Sequence, residues 1–178
     1  VHDRTVGEVF RGCIRGCRFC QAGFIYRPVR EKSVEVVDRQ CHTLCDNTGY
    51  NEISLSSLST SDYTKIDALL EQLLSWARDE KTSVSLPSLR VDGFSSELRT
   101  KIKSVRKSGL TFAPEAGTQR LRDVINKNVK EEELMKTVNM AFSGGWNTIK
   151  LYFMIGLPTE TLDDVAGIAE LGQKVVNA

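Results

Sequence analysis

The sequence lacks any apolar run long enough to cross a bilayer and any excess of charge of one sign. A membrane-spanning helix needs about 20 consecutive apolar residues, so no such helix is expected. Lys and Arg total 24 against 23 Asp and Glu, a net charge of +1. Bulk electrostatics therefore points to neither a nucleic-acid nor a membrane partner. Low-complexity tracts, blocks of like charge and an internal linker are also missing, which excludes long disordered segments. A disulfide framework is excluded by the cysteine count: five, an odd number, with no signal peptide ahead of them. Thiols of that kind belong in a reducing compartment, and a cytoplasmic protein is expected. What remains is ordinary for one globular core, 178 residues at 40% hydrophobic and 26% charged. The chain opens on Val1 and ends within a helical pattern, so it is expected to be a piece of a longer protein.

Three of the cysteines, Cys13, Cys17 and Cys20, stand close together in a C-x3-C-x2-C spacing, with Phe19 just before the last. Gly12 and Gly16 precede the first two and let the backbone curl, so that three thiolates can converge on one metal centre. A fourth cysteine is lacking. Closed zinc sites and electron-transfer iron-sulfur clusters normally take four protein ligands, and a set of three leaves a position open to a substrate. Two other readings stay open on the residues alone. One is a zinc-binding structural module completed by His2, His42, Cys41 or Cys45; the other is an electron-transfer iron-sulfur protein. Cys41 and Cys45 lie four apart on one helical face and read as core, since two thiols cannot complete a further cluster.

Along the chain, β-type runs alternate with helical patterns. Strands are predicted over 5–11, 51–57, 83–86, 110–113 and 148–155. Helices are predicted over 33–47 with Ser33 as N-cap and Gly49 as stop, then over 65–79, 95–107, 118–126, 130–142 and 161–176. Five strand-to-helix alternations argue for an α/β fold with a parallel sheet and helical crossovers. In such folds the active site lies at the C-terminal ends of the strands. The turns 56–63, 114–118 and 154–161 fall there.

The cysteine spacing with an aromatic before the last cysteine resembles the signature of the radical S-adenosylmethionine (SAM) enzymes. The resemblance implies a partial (βα) barrel of six units, about five of them present, with residues 1–178 as a core domain whose C-terminal part is missing. It implies a 4Fe-4S cluster held by Cys13, Cys17 and Cys20, with SAM chelating the fourth iron. It also implies an external one-electron reductant of flavodoxin or ferredoxin type, and a 5′-deoxyadenosyl radical that abstracts hydrogen from a substrate. In the family pattern Phe19 lies near adenine, and Ser57 stands where a glycine-rich turn binds the SAM amino group, although those glycines are absent here. Glu115 would bind the ribose, an ionised carboxylate suiting two vicinal hydroxyls. Lys127 stands where an arginine often meets the SAM carboxylate and keeps the charge without the bidentate fork. Met154 and Ile155 would pack on adenine, Gly156 permits close backbone approach, and Glu160 braces the next helix. Tyr152 replaces an aspartate found in some relatives.

Among the remaining polar residues, Tyr26, Arg27, Arg30, Arg90, Asp92 and Lys150 are candidates for contact with an anionic substrate or SAM, Arg90 first. The stretches 12–23, 26–28 and 112–118 resemble a bacterial group related to methylthiotransferases and to radical enzymes with a cobalamin-binding-like domain. Modification of RNA or a ribosomal component is the substrate class this implies, and any RNA-binding part is expected outside this segment.

Overall fold

The computed structural model describes residues 3–87, 90–91 and 110–178. The helix predicted over 95–107, Asp92 and His2 lie outside the described residues. Strand β1 (Thr5–Glu8) is followed by the short β2 (Phe10–Arg11), helix α1 (Ala22–Ile25) and β3 (Arg30–Glu31). Then come α2 (Val34–Thr48), β4 (Glu52–Ser56), α3 (Ile66–Ala77) and β5 (Ser83–Ser85). The second half carries β6 (Leu110–Glu115), α4 (Gln119–Val124), α5 (Glu131–Ser143), β7 (Ile149–Phe153) and α6 (Leu162–Val176). β4 lies between β1 and β5 in one parallel sheet, and β6 pairs with β7 in parallel. The α/β architecture with parallel strands agrees with the sequence reading. Among the described residues no helix is long and apolar enough to cross a membrane.

Two strands depart from expectation, and both departures shape the site. The run 5–11 breaks at Val9, whose N–H donates to the Ser56 carbonyl at 3.0 Å. Beyond it Phe10 and Arg11 leave the parallel sheet and pair antiparallel with Glu31 and Arg30. This hairpin frames the cysteine loop. The strand expected to stop at residue 113 runs on to Glu115, with an irregularity in register between Phe112 and Glu115 opposite Leu151 and Phe153. Pro114 has no N–H to give the ladder, and a bulge is where a strand tolerates proline. The bulge leaves Glu115 at φ 69°, in the left-handed region.

Helix α2 starts on Ser33, whose Oγ accepts from the Val36 N–H at 3.4 Å, and stops at Gly49 with φ 70°. Its inner face carries Val34, Val37, Cys41 and Cys45. Cys41 packs so closely on β1 that a Cβ at Gly7 would fall 2.6 Å from its Sγ. Helix α3 buries Leu69, Leu70, Leu73 and Leu74 at i, i+1, i+4 and i+5, each worth about 1.5–3 kcal/mol relative to exposure. Phe112 of β6 and Leu134 and Val138 of α5 continue the same core.

Helix α6 is tied to the turn after β6 by Asp164. This carboxylate accepts from Thr161 through its N–H (2.9 Å) and Oγ1 (2.8 Å), and also from the Thr118 hydroxyl and the Arg120 guanidinium. Arg120 first, and then Thr118, hold the Asp164 carboxyl far below the usual carboxylate range. Gly117 makes the junction possible, since a Cβ there would lie 2.3 Å from the Ile168 nitrogen.

Candidate functional site

The cysteine loop is braced on three sides, and within it the Arg15 N–H donates to Cys13 Sγ at 3.4 Å. Arg15 grips Asp62 through two guanidinium nitrogens, Nε and Nη2, the Nε bond measuring 2.8 Å. Burial pushes the Asp62 carboxyl up, but the bond and charge of Arg15 outweigh it, and the net shift is downward. The Arg18 N–H donates to the Ile125 carbonyl at 2.9 Å, and Asn126 Nδ2 donates to the Gly16 carbonyl at 2.7 Å, which ties the loop to the end of α4. Arg27 donates to the carbonyls of Ile14 (3.1 Å), Arg15 (3.3 Å) and Gly23. Arg27, a candidate substrate contact from sequence, is thus a clamp on the loop.

The loop forms one wall of a cavity of ≈ 250 Å³ lined by Cys13, Cys17, Cys20, Phe19, Ser59, Arg90, Glu115 and Lys127, among others. Residues far apart in sequence, from the first strand's exit to the end of α4, therefore face one space. Lys127 Nζ sits 3.0 Å from Glu115 Oε1, with only 12% and 15% of the two side chains exposed. The same ammonium lies 5.8 Å from the centroid of the Phe19 ring, within cation–π range. The Arg90 guanidinium donates to the carbonyls of Lys127 (3.1 Å) and Asn128 (3.5 Å).

Other predicted residues lie elsewhere. Ser57 lines a neighbouring cavity of ≈ 450 Å³ with Tyr26 and Arg30, and its hydroxyl shares a 2.9 Å hydrogen bond with that of Thr60. Two residues on, Ser59 faces the cysteine cavity, with a buried hydroxyl close enough to Asp62 to help hold that carboxyl below its usual range. Reading the serine-rich turn as a string could not tell these serines apart; a 3-10 turn at Thr60–Asp62 decides it. Met154, Ile155 and Gly156 are not among the lining residues of the cysteine cavity. β7 ends at Phe153, the chain turns at Gly156 with φ 88°, and Ile155 is left 75% exposed. Only the Met154 N–H reaches the site's frame, donating to the Glu115 carbonyl at 2.8 Å. Glu160 braces this turn by accepting from the Gly156 N–H at 2.5 Å. Lys150 is exposed in β7, as is Tyr152 at 54%.

Four ligands about 2.3 Å from a tetrahedral zinc stand roughly 3.8 Å apart. Among the described residues, His42, Asp46 and Glu80 alone bring three such ligand atoms within 4.8 Å of one another. The thiols of Cys13, Cys17 and Cys20 line one open cavity. Cys41 and Cys45 are buried in the core, and burial pushes the Cys41 thiol up to about 12. Neither is among the residues that line the cysteine cavity.

The family profile described as the radical SAM superfamily matches residues 8–172. The chain belongs to the radical SAM superfamily. An uncharacterised protein of Methanocaldococcus jannaschii is 34% identical over 168 residues, 94% of this chain and 36% of that protein. A second protein of that organism, named a putative methylthiotransferase, is 26% identical over 163 residues, 86% of this chain and 35% of its own length. The chain thus spans about a third of the length of these relatives. Among solved structures, the radical SAM methyltransferase TsrM of Kitasatospora setae superposes with a TM-score of 0.78 at 11% identity. The match covers 97% of this chain and 34% of TsrM, which was solved with cobalamin and a [4Fe-4S] cluster bound. At that identity the likeness speaks for the fold, and it agrees with the α/β architecture above.

Proposed function

We propose that this radical SAM chain is the core of an enzyme in which Cys13, Cys17 and Cys20 hold a 4Fe-4S cluster and the adjoining cavity holds SAM. The observation that carries the reading is the shared wall, on which three thiols line one space with Phe19, Ser59, Glu115 and Lys127. When bound, the cluster and SAM supply a one-electron reductive cleavage that releases a 5′-deoxyadenosyl radical for hydrogen abstraction. The chain's own residues bind and orient. Phe19 offers an apolar face to adenine, and the buried Ser59 hydroxyl on the cavity wall offers a hydrogen bond to the ligand. Glu115 and Lys127 hold one another at 3.0 Å, so a carboxylate acceptor and an ammonium donor meet a zwitterionic ligand already positioned. An external reductant of flavodoxin or ferredoxin type supplies the electron. The proposed substrate class is RNA or a ribosomal component, supported by the resemblance of 12–23, 26–28 and 112–118 to relatives of the methylthiotransferases.

SAM binding to cluster-loaded protein tests the assignment of the cavity. Ser59→Ala is expected to weaken binding about fivefold, the ~1 kcal/mol of one neutral hydrogen bond. Lys127→Met is expected to weaken it roughly 10- to 100-fold, in line with ~1.5–3 kcal/mol for a bond to a charged group. Equilibrium dialysis with labelled SAM reads both. Unchanged binding in the two variants would place SAM outside this cavity.

A further inference from the structure

Among the described residues the largest fully buried side chain is that of Arg122, in α4. Burying a guanidinium is costly unless its donors are satisfied. Burial pulls the Arg122 pKa below its ordinary value, and the charges of Glu131 and Asp123 oppose the fall. Glu131 is not a close partner: its Oε2 stays 3.8 Å from Nη2, and its other oxygen receives Lys174 of α6. The bonds of Arg122 go elsewhere. Nη1 donates to the carbonyls of Ala116 (2.9 Å) and Gly117 (3.2 Å), and Nη2 donates to Gln119 Oε1 at 3.2 Å.

Those two carbonyls directly follow Glu115. The Glu115 carbonyl itself accepts from the Met154 N–H at 2.8 Å, so three successive carbonyls of this turn are held. Glu115 stands at φ 69°, a backbone that a residue with a side chain keeps only where its surroundings hold it. The main chain of Arg122 reaches the second member of the pair: its carbonyl accepts from the Lys127 N–H at 3.0 Å. One buried residue therefore fastens the backbone on both sides of the Lys127–Glu115 contact, although it is not among the lining residues of the cysteine cavity.

We propose that Arg122 is a positioning residue of this site, which sets the placement of Glu115 and Lys127 toward SAM without touching it. The inference rests on the assignment of SAM to the cavity above. Arginine suits the task by its shape. Methionine would leave the carbonyls of Ala116 and Gly117 without this donor, and a lysine ammonium lacks the planar fork that reaches a carbonyl with one nitrogen and Gln119 with another. A pair held in place before SAM arrives need not be ordered by it, which favours binding.

The test uses the full chain reconstituted with iron and sulfide, with equilibrium dialysis of labelled SAM and metal analysis on the same samples. Arg122→Met is expected to keep wild-type iron and sulfide and to bind SAM roughly tenfold more weakly, in line with the loss of bonds from a charged donor. Arg122→Lys, which keeps the charge, should bind only about threefold more weakly than wild type. A double-variant cycle with Lys127→Met separates positioning from plain support of the fold. Adding Arg122→Met to Lys127→Met should weaken SAM binding by less than about threefold, because residues that act together are not additive. A full further tenfold loss would overturn the proposal. So would wild-type affinity in Arg122→Met, or a cluster content that falls in step with SAM binding. Should Arg122→Met fail to fold by circular dichroism, Arg122→Lys carries the cycle: a threefold loss that vanishes in the Lys127→Met background supports the proposal, whereas no loss, or a loss repeated in full, overturns it. Absence of SAM binding by cluster-loaded wild type would instead overturn the assignment of SAM to the cavity, and the role of Arg122 with it.

Discussion

Cys17→Ala is expected to take up no more than background iron and sulfide and to release no 5′-deoxyadenosine above background. Cys17 is the most enclosed of the three thiols, at 9% exposure. The loop around it is shaped by backbone bonds the substitution leaves alone: its carbonyl accepts from the Cys20 N–H at 3.1 Å, and Arg18 and Gly16 are tied to α4. Alanine therefore removes a ligand without removing the loop. Two remaining thiolates fall two short of the usual protein complement of an iron-sulfur cluster. Cys41→Ala is the matching control. Its thiol is fully buried against β1, so losing it should lower the melting temperature while cluster uptake stays at the wild-type level. Iron and sulfide analysis with the visible absorbance of the reconstituted proteins checks both. A loss of cluster in Cys41→Ala equal to that in Cys17→Ala would contradict the assignment of ligands.

Gly23→Ala is expected to be nearly as damaging to cluster uptake, although residue 23 is no ligand. A Cβ built on Gly23 falls 1.9 Å from the Arg15 carbonyl oxygen and 3.1 Å from its carbon. Both are backbone atoms, so no rotamer change can relieve the overlap. Helix α1 or the loop must move by more than about 1 Å, and overpacking of this kind costs about 1–3 kcal/mol. The loop side of the contact is pinned by Asp62, Ile125 and Asn126, so the strain falls on the segment carrying Cys13 and Cys17. The expected result is a folded protein by circular dichroism, with a lowered melting temperature and a small residue of wild-type cluster content. Gly172→Ala in α6, where nothing lies within 4 Å of the added carbon, should instead leave cluster uptake unchanged and stabilise slightly, as alanine outperforms glycine inside a helix. Full cluster loading in Gly23→Ala would show that the packing of α1 does not set the geometry of the loop.

Much of this architecture was legible in the chain because its signals are local. Ser33 and Gly49 mark the two ends of α2 through one hydroxyl and one left-handed backbone, and both act as expected. The alternation of Ile53 and Leu55 marks a strand because successive side chains take opposite faces, and both are fully buried in β4. The three cysteines, Phe19, Glu115, Lys127 and Arg90, each singled out in the sequence for its own reason, line one cavity. What escaped the reading depends on contacts between distant segments. Pro114 signals a stop to any local rule, yet the neighbouring β7 accepts it as a bulge and so positions Glu115. Ser57 and Ser59 are chemically alike, and the turn that follows decides which one faces the cavity. Arg27 and Arg30 look equivalent in sequence, but only the fold reveals that Arg27 donates to loop carbonyls while Arg30 is exposed beside a neighbouring cavity. Met154 and Ile155 were expected on the ligand because they end a strand at that pole; the strand stops at Phe153, and neither residue lines the cysteine cavity.

The most direct test of the central claim is chemical. Protein reconstituted anaerobically with iron and sulfide is incubated with SAM and dithionite, and 5′-deoxyadenosine is followed by chromatography alongside metal analysis. A radical SAM core with Cys13, Cys17 and Cys20 as ligands predicts about four irons per chain and 5′-deoxyadenosine that accumulates only with both SAM and reductant. One equivalent of zinc, no cluster and no 5′-deoxyadenosine would contradict it.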